Sequence, residues 1–161
     1  MTDPAGLRPR HVVALASGAR DTAADDRERL GVALAQRLCG RPSVVISTCH
    51  RVEAYVDPAQ GWRDLGDQMP AGSRLLTDDD AVRHLFSVAV GLDSAVLGED
   101  EVLHQVRQGV EAGRSNAPLS PVLERLFQEA LRTGRRARAE RPKRPISLAE
   151  AALTRVMPLG E

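Results

Sequence analysis

The stretch STCHRVEAYV (47–56) holds Cys49, one of only two cysteines in the chain, between Ser47-Thr48 and His50-Arg51. A thiol attacks carbonyls well once ionised. With an unperturbed pKa of about 8.5, roughly a few per cent is thiolate at neutral pH. A cation close by, from Arg51 or a protonated His50, would raise that fraction. A cysteine in an apolar strand can equally be core filler, but filler needs no such polar company. Cys39 is read as filler, since it follows Leu38 at a helix end and precedes Gly40. His84 stands beside Leu85 and Phe86 and flanks an apolar stripe. It is either a structural histidine or a proton donor, provided that it reaches Cys49 or a bound carbonyl. The stretch GLDSAVLGEDEV (91–102) gathers Asp93, Ser94 and Glu99 with Gly91 and Gly98. Such a loop can cap the helix that follows or line a polar pocket.

The elements that must position these residues are legible from periodicity. HVVALAS (11–17) reads as a strand. AADDRERLGVALAQRLC (23–39) reads as an amphipathic helix, with Leu30, Leu34 and Leu38 in register and acids in its first turn. SVVISTC (43–49) has the pattern of a buried strand, and RVEAYVD (51–57) alternates as a half-buried one. A helix around 60–69 and a short strand at 73–77 are expected next. DDDAVRHLFSVAVGL (78–92) follows, with three aspartates as cap candidates. A second helix is expected to end at Gly113, and a third carries Pro121 in its first turn. RPKRP (141–145) breaks the chain before SLAEAALTRVM starts another helix. The expected fold is α+β: a small antiparallel sheet with a ferredoxin-like βαββαβ plan, followed by a helical half. Residues 1–141 form the expected domain and 142–161 a linker and helix start.

Composition narrows the class. The chain's 161 residues suit one domain with a real core. Basic and acidic residues balance at 22 each, although residues 132–161 carry eight Arg/Lys against three Glu. Such a stretch can meet phosphates or serve as a solvated helix face. Aromatics are confined to Tyr55, Trp62, Phe86 and Phe127, too few for the stacking platforms of most single-strand RNA binders. Two cysteines make no disulfide framework, and no apolar run approaches the roughly 20 residues of a membrane span. A cytoplasmic protein without membrane partners is expected.

Three ordered motifs, STCHRVEAYV, VRHLFSVAVGLDSAVLGEDEVLHQV and LERLFQEALRTGRRARAE, closely resemble the N-terminal catalytic domain of glutamyl-tRNA reductase. That family begins tetrapyrrole synthesis in most bacteria. It carries S-T-C-N-R-x-E-x-Y and then H-L-F-x-V-A-x-G-L-D-S-x-V-x-G-E-P-Q-I-L-G-Q-V. The resemblance implies that Cys49 attacks the ester of glutamyl-tRNA to give a thioester, which NADPH reduces to glutamate-1-semialdehyde. It implies Cys49 as nucleophile and His84 as an acid-base or orienting group. Thr48, His50, Arg51, Ser94, Glu99, Asp100, Glu101 and Gln105 fall at substrate-pocket positions, with Arg51 suited to hold a carboxylate. The chain departs from the pattern at His50 (family Asn), Asp100-Glu101 (family Pro-Gln) and His104 (family Gly). ASGARDTAADDRER replaces the N-terminal G-x-x-H-x-x-A-P signature.

No G-x-G-x-x-G occurs, so the NADPH-binding domain of the family is expected to be absent from this chain. Reduction by this chain alone is then not expected, and a separate nucleotide-binding subunit becomes a possible partner. The alternatives are a stand-alone aminoacyl-tRNA thioesterase or acyl-transfer enzyme, a non-catalytic tRNA- or reductase-binding paralogue, and a plain α+β domain.

Overall fold

The structure, a computed structural model, describes residues 10–67, 69–93 and 100–140, with Asp100 described by its backbone alone. The order is β1 (Val13–Gly18), α1 (Ala24–Arg37), β2 (Ser43–Ser47), β3 (Arg51–Val56) and β4 (Arg74–Thr77). Then come α2 (Asp78–Ala89), α3 (Asp100–Asn116) and α4 (Pro121–Ala139). The four strands form one antiparallel sheet in the order β2-β3-β1-β4. This is the ferredoxin-like arrangement, with one substitution: the helix expected around 60–69 is a pair of 3₁₀ turns, Pro58–Gln60 and Arg63–Gly66. Gly61, at φ +88°, separates them, a backbone angle that a continuous helix cannot contain.

Both faces of the sheet are covered. Val13, Leu15, Val52, Ala54 and Val56 pack against Leu30, Leu34 and Leu38, with Trp62 and Leu65 of the 3₁₀ turns alongside. The opposite face presents Val12, Ala14, Val44, Ile46 and Tyr55 to α2, α3 and α4, which contribute Leu85, Val88, Val106, Leu123 and Phe127. Full burial of each Val, Leu, Ile or Phe side chain among these stabilises the fold by about 1.5–3 kcal/mol. Tyr55 meets Phe127 edge-on, with ring centroids 5.2 Å apart.

The reading of β3 as half-buried is therefore corrected. All six of its residues are buried, because the helical half covers the face that alternation alone assigns to solvent. That face carries Arg51, Glu53 and Tyr55, which are consequently withdrawn from water.

Helix α3 lies along the edge of β2 through two glycines. A Cβ on Gly109 would stand 2.8 Å from the Val45 carbonyl oxygen, and one on Gly113 would stand 2.5 Å from that of Ser43. Gly113 thus permits close approach and does not end the helix, which runs on to Asn116. The Asn116 amide donates to the Leu38 and Arg41 carbonyls at 2.9 and 3.0 Å, tying the end of α3 to the end of α1. Cys39, at that junction, is exposed and fills no core.

The aspartates at the start of α2 do not cap it as expected. Thr77 is the N-cap and makes no side-chain cap bond. Asp78 has φ +45°, and its carboxylate accepts the backbone N–H groups of Arg10, His11 and Val12, the residues leading into β1. These bonds outweigh burial and hold its carboxyl below the usual range. Pro121 stands in the first turn of α4, as the sequence indicates, and Ser120 caps the helix.

Candidate functional site

Residues 48–50 join β2 to β3, and Cys49 lies exposed in that turn. The turn is held by Thr48. Its N–H donates to the Arg51 carbonyl at 2.8 Å, and its Oγ1 accepts from the N–H groups of His50 and Arg51 at 3.2 and 3.1 Å. A short hydroxyl side chain that closes a turn on its own backbone is what a threonine two or three residues before a strand supplies. On the other side, the Arg27 guanidinium, from the first turn of α1, donates to the Cys49 carbonyl at 2.8 Å.

Two hollows flank this turn. One is a wide, largely apolar groove of about 550 Å³ between α1 and β2, lined by Val32, Val45 and Val52 and reaching Thr48 and Cys49. The other is narrow and polar. It is lined by His50, Arg51, Glu53, His84 and Asp93 together with the β1–α1 loop.

Glu53 is the hub of the polar hollow. It is 2% exposed. It accepts from Arg51 at 2.9 Å, from the Tyr55 hydroxyl at 2.7 Å and faces His84 Nε2 at 3.1 Å. Burial alone would raise its pKa. The hydrogen bond and charge of His84, the Arg51 charge and the Tyr55 hydrogen bond together lower it instead. Burial and the neighbouring Glu53 push Tyr55 far above the usual phenol range, so it remains a hydroxyl donor. Asp93 stands at the outer rim. Its carboxylate is 3.6 Å from the Arg51 guanidinium and 3.9 Å from His84 Nδ1, and its carbonyl accepts from Arg51.

Sequence-identified residues are thus brought together unevenly. His50, Arg51 and His84 share the polar hollow, and Thr48 and Cys49 line the apolar groove beside it. His84 does not pair with a thiol: each ring nitrogen faces a carboxylate. Glu101 is exposed and Gln105 half-buried on α3, and neither lines the two hollows. Ser94 and Glu99 lie outside the described residues, as do residues 142–161, and Asp100 is placed only as the first residue of α3. Glu53 and Arg27 are not singled out by the sequence, whereas Asp93 belongs to the 91–102 loop read there as a candidate pocket lining. The available signal for Glu53 was the Arg-x-Glu-x-Tyr spacing, which puts three hydrogen-bonding groups on one strand face.

Glu53, His84 and Asp93 also have the spacing of a metal cluster, with one ligand atom from each within 4.8 Å of the others. The Arg51 guanidinium already occupies the position of a cation between Glu53 and Asp93. A nicotinamide dinucleotide fits the described residues no better. Its phosphates need a glycine-rich turn and an uncluttered helix N-terminus, whereas α1 opens on Asp25-Asp26 and α2 on three aspartates. No helix among the described residues is long and apolar enough to cross a membrane.

Comparison with known proteins agrees with this architecture. The family model described as the glutamyl-tRNA(Glu) reductase N-terminal domain matches residues 16–141. A glutamyl-tRNA reductase of Halobacterium salinarum is 37% identical over 142 residues, which are 84% of this chain and 33% of that protein. One from Aeropyrum pernix is 43% identical over 105 residues, covering 62% of this chain and 25% of the relative. The chloroplastic enzyme of Oryza sativa subsp. indica is 39% identical over 112 residues, covering 61% of this chain and 21% of its own length. Among solved structures, glutamyl-tRNA reductase from Methanopyrus kandleri superposes with a TM-score of 0.75 at 27% identity, over 89% of this chain and 39% of that one. This chain therefore spans a third or less of the length of these curated relatives. With the family model matching residues 16–141, most of its length, the chain belongs to the glutamyl-tRNA reductase N-terminal domain family.

Proposed function

We propose that this chain performs the acyl-accepting half of glutamyl-tRNA reduction in tetrapyrrole synthesis. The observation that carries this reading is the exposed Cys49 at a rigid turn directly beside a charged, buried pocket. In this reading the Cys49 thiolate attacks the ester carbonyl of glutamyl-tRNA. The new S–C bond forms, the C–O bond to the terminal ribose breaks, and that ribose oxygen takes up a proton as tRNA leaves. The polar hollow receives the glutamyl group. Arg51 offers its carboxylate a guanidinium that Glu53 and Asp93 already hold in place. The two carboxylates, Glu53 and Asp93, orient the His84 ring toward the hollow. The thioester's reduction calls for a nicotinamide cofactor, which the described residues do not fit, so that step is assigned to a nucleotide-binding module outside them.

The test is incubation with glutamyl-tRNA labelled in the glutamyl group, followed by acid quench and mass spectrometry. A glutamyl adduct on Cys49, lost on hydroxylamine treatment and missing in Cys49→Ser, is the expected result. Transfer to Cys39, or an adduct that persists in Cys49→Ser, overturns the assignment.

A further inference from the structure

We infer that Arg27 is a positioning residue that fixes the backbone of Cys49 for directed attack. Arginine is rarely buried, yet Arg27 is only 7% exposed. Its guanidinium bridges two loops: it donates to the Thr22 carbonyl in the turn after β1 and to the Cys49 carbonyl at 2.8 Å. No carboxylate among the described residues forms an ion pair with it, and its Nε is buried with no hydrogen-bond partner. A buried cation balanced only by carbonyls is a costly arrangement that apolar packing would improve on for stability alone. The arrangement falls on the backbone of the nucleophile.

The geometry of the turn shows what Arg27 adds. Two successive peptide planes are each held at both ends. In the Cys49–His50 plane, the carbonyl accepts from Arg27 and the N–H donates to Thr48 Oγ1. In the His50–Arg51 plane, the carbonyl accepts the Ala19 N–H at 2.9 Å and the N–H donates to Thr48 Oγ1. Arg27 is the only side chain from outside the turn in this set, and it holds the plane adjoining the Cys49 Cα. Fixing that plane fixes ψ of Cys49, which restricts the direction in which its side chain leaves the backbone. Misplacing a reacting group by about 1 Å can cost on the order of a hundredfold in rate. A lysine cannot substitute, because one ammonium cannot reproduce the planar fork that reaches two carbonyls.

This role rests on Cys49 being the nucleophile, so the test has one arm that does not. In the intact chain, Arg27→Lys and Arg27→Gln are compared with wild type by hydrogen exchange and by acyl transfer from glutamyl-tRNA. The two variants guard against one of them failing to fold. Exchange at the His50 and Arg51 amides is expected to rise about tenfold or more, while the amide of Ala54, in the middle of β3, stays protected. Acyl transfer is expected to lose about ten- to a hundredfold in kcat with KM changed less than about threefold. Alkylation of Cys49 by iodoacetamide, which demands no fixed direction, should keep its wild-type ratio to alkylation of Cys39 in the same molecule. Unchanged amide exchange overturns the inference whatever Cys49 does. Faster exchange with wild-type kcat, or with a rise in KM alone, shows that Arg27 serves the fold or substrate binding and also overturns it. Failure of the wild type to form any Cys49 adduct instead removes the proposed function and leaves the exchange result to stand on its own.

Discussion

Replacing Glu53 by glutamine tests whether the polar hollow is a single charge-balanced unit. Glu53 and Arg51 leave only 2% and 7% of their side chains exposed, 2.9 Å apart. Glutamine keeps the volume, and the Tyr55 hydroxyl can turn to accept from the new amide, so part of the hydrogen bonding survives. The negative charge does not, and Arg51 is left buried with only the rim carboxylate of Asp93 nearby. Breaking a buried pair in this way costs about 3–5 kcal/mol, a large share of the roughly 5–15 kcal/mol that holds a domain together. For a chain of this size that is a fall in melting temperature of roughly 6–20 °C. Arg51→Met should cost a similar amount. The double variant, lacking both charges, should cost clearly less than the two losses added together. The assay is urea unfolding of all four proteins at neutral pH. Strict additivity, or a loss below about 1 kcal/mol in Glu53→Gln, would refute the coupling. The pH dependence has a definite sign. The folded pKa of Glu53 lies below its usual 4.5. Its contribution is therefore complete above that value and disappears as the pH falls through the lowered folded value. Glu53→Gln should show a flatter acid limb than wild type, and an identical limb would mean that the carboxylate is not paired in solution.

Further expectations concern single positions. Arg51→Lys should lower kcat/KM for acyl transfer by about ten- to a hundredfold, because an ammonium cannot serve Glu53, Asp93 and a substrate carboxylate together; wild-type kinetics would remove Arg51 from substrate binding. Gly113→Ala should destabilise the chain by about 1–3 kcal/mol in urea titration, since the new methyl meets a strand carbonyl at 2.5 Å; an unchanged midpoint would show that α3 can slide away from β2. Asp100→Pro with Glu101→Gln, which restores the family residues, should leave the fold intact because proline suits the first position of α3. It should also strengthen use of a glutamyl substrate, as read by KM, if those acids repel it, and an unaltered KM would place them away from the substrate.

What the sequence determined by itself was local and periodic. The apolar run of HVVALAS, the leucine spacing of 23–39 and the Pro121 start of α4 are set by near neighbours, and the structure follows them. The break between SVVISTC and RVEAYVD was legible, but the strand read to Cys49 ends at Ser47, because Thr48 closes a turn with bonds spanning two and three residues. The chemistry of the turn was read from residue types, and its family from the order of motifs.

Tertiary structure decided everything that depends on a distant partner. Periodicity marks Arg51, Glu53 and Tyr55 as one face of a strand but cannot say that α2–α4 will cover that face and turn an exposed row into a buried network. Gly113 carries a stop signal by composition, and only the carbonyl of Ser43 lying against it shows that it is a contact. Asp78 looks like a helix cap and instead binds residues 66–68 positions away in the chain. Arg27 reads as one more charge on an amphipathic helix. Its role depends on a carbonyl 22 residues away, and no local rule of propensity or spacing encodes that distance.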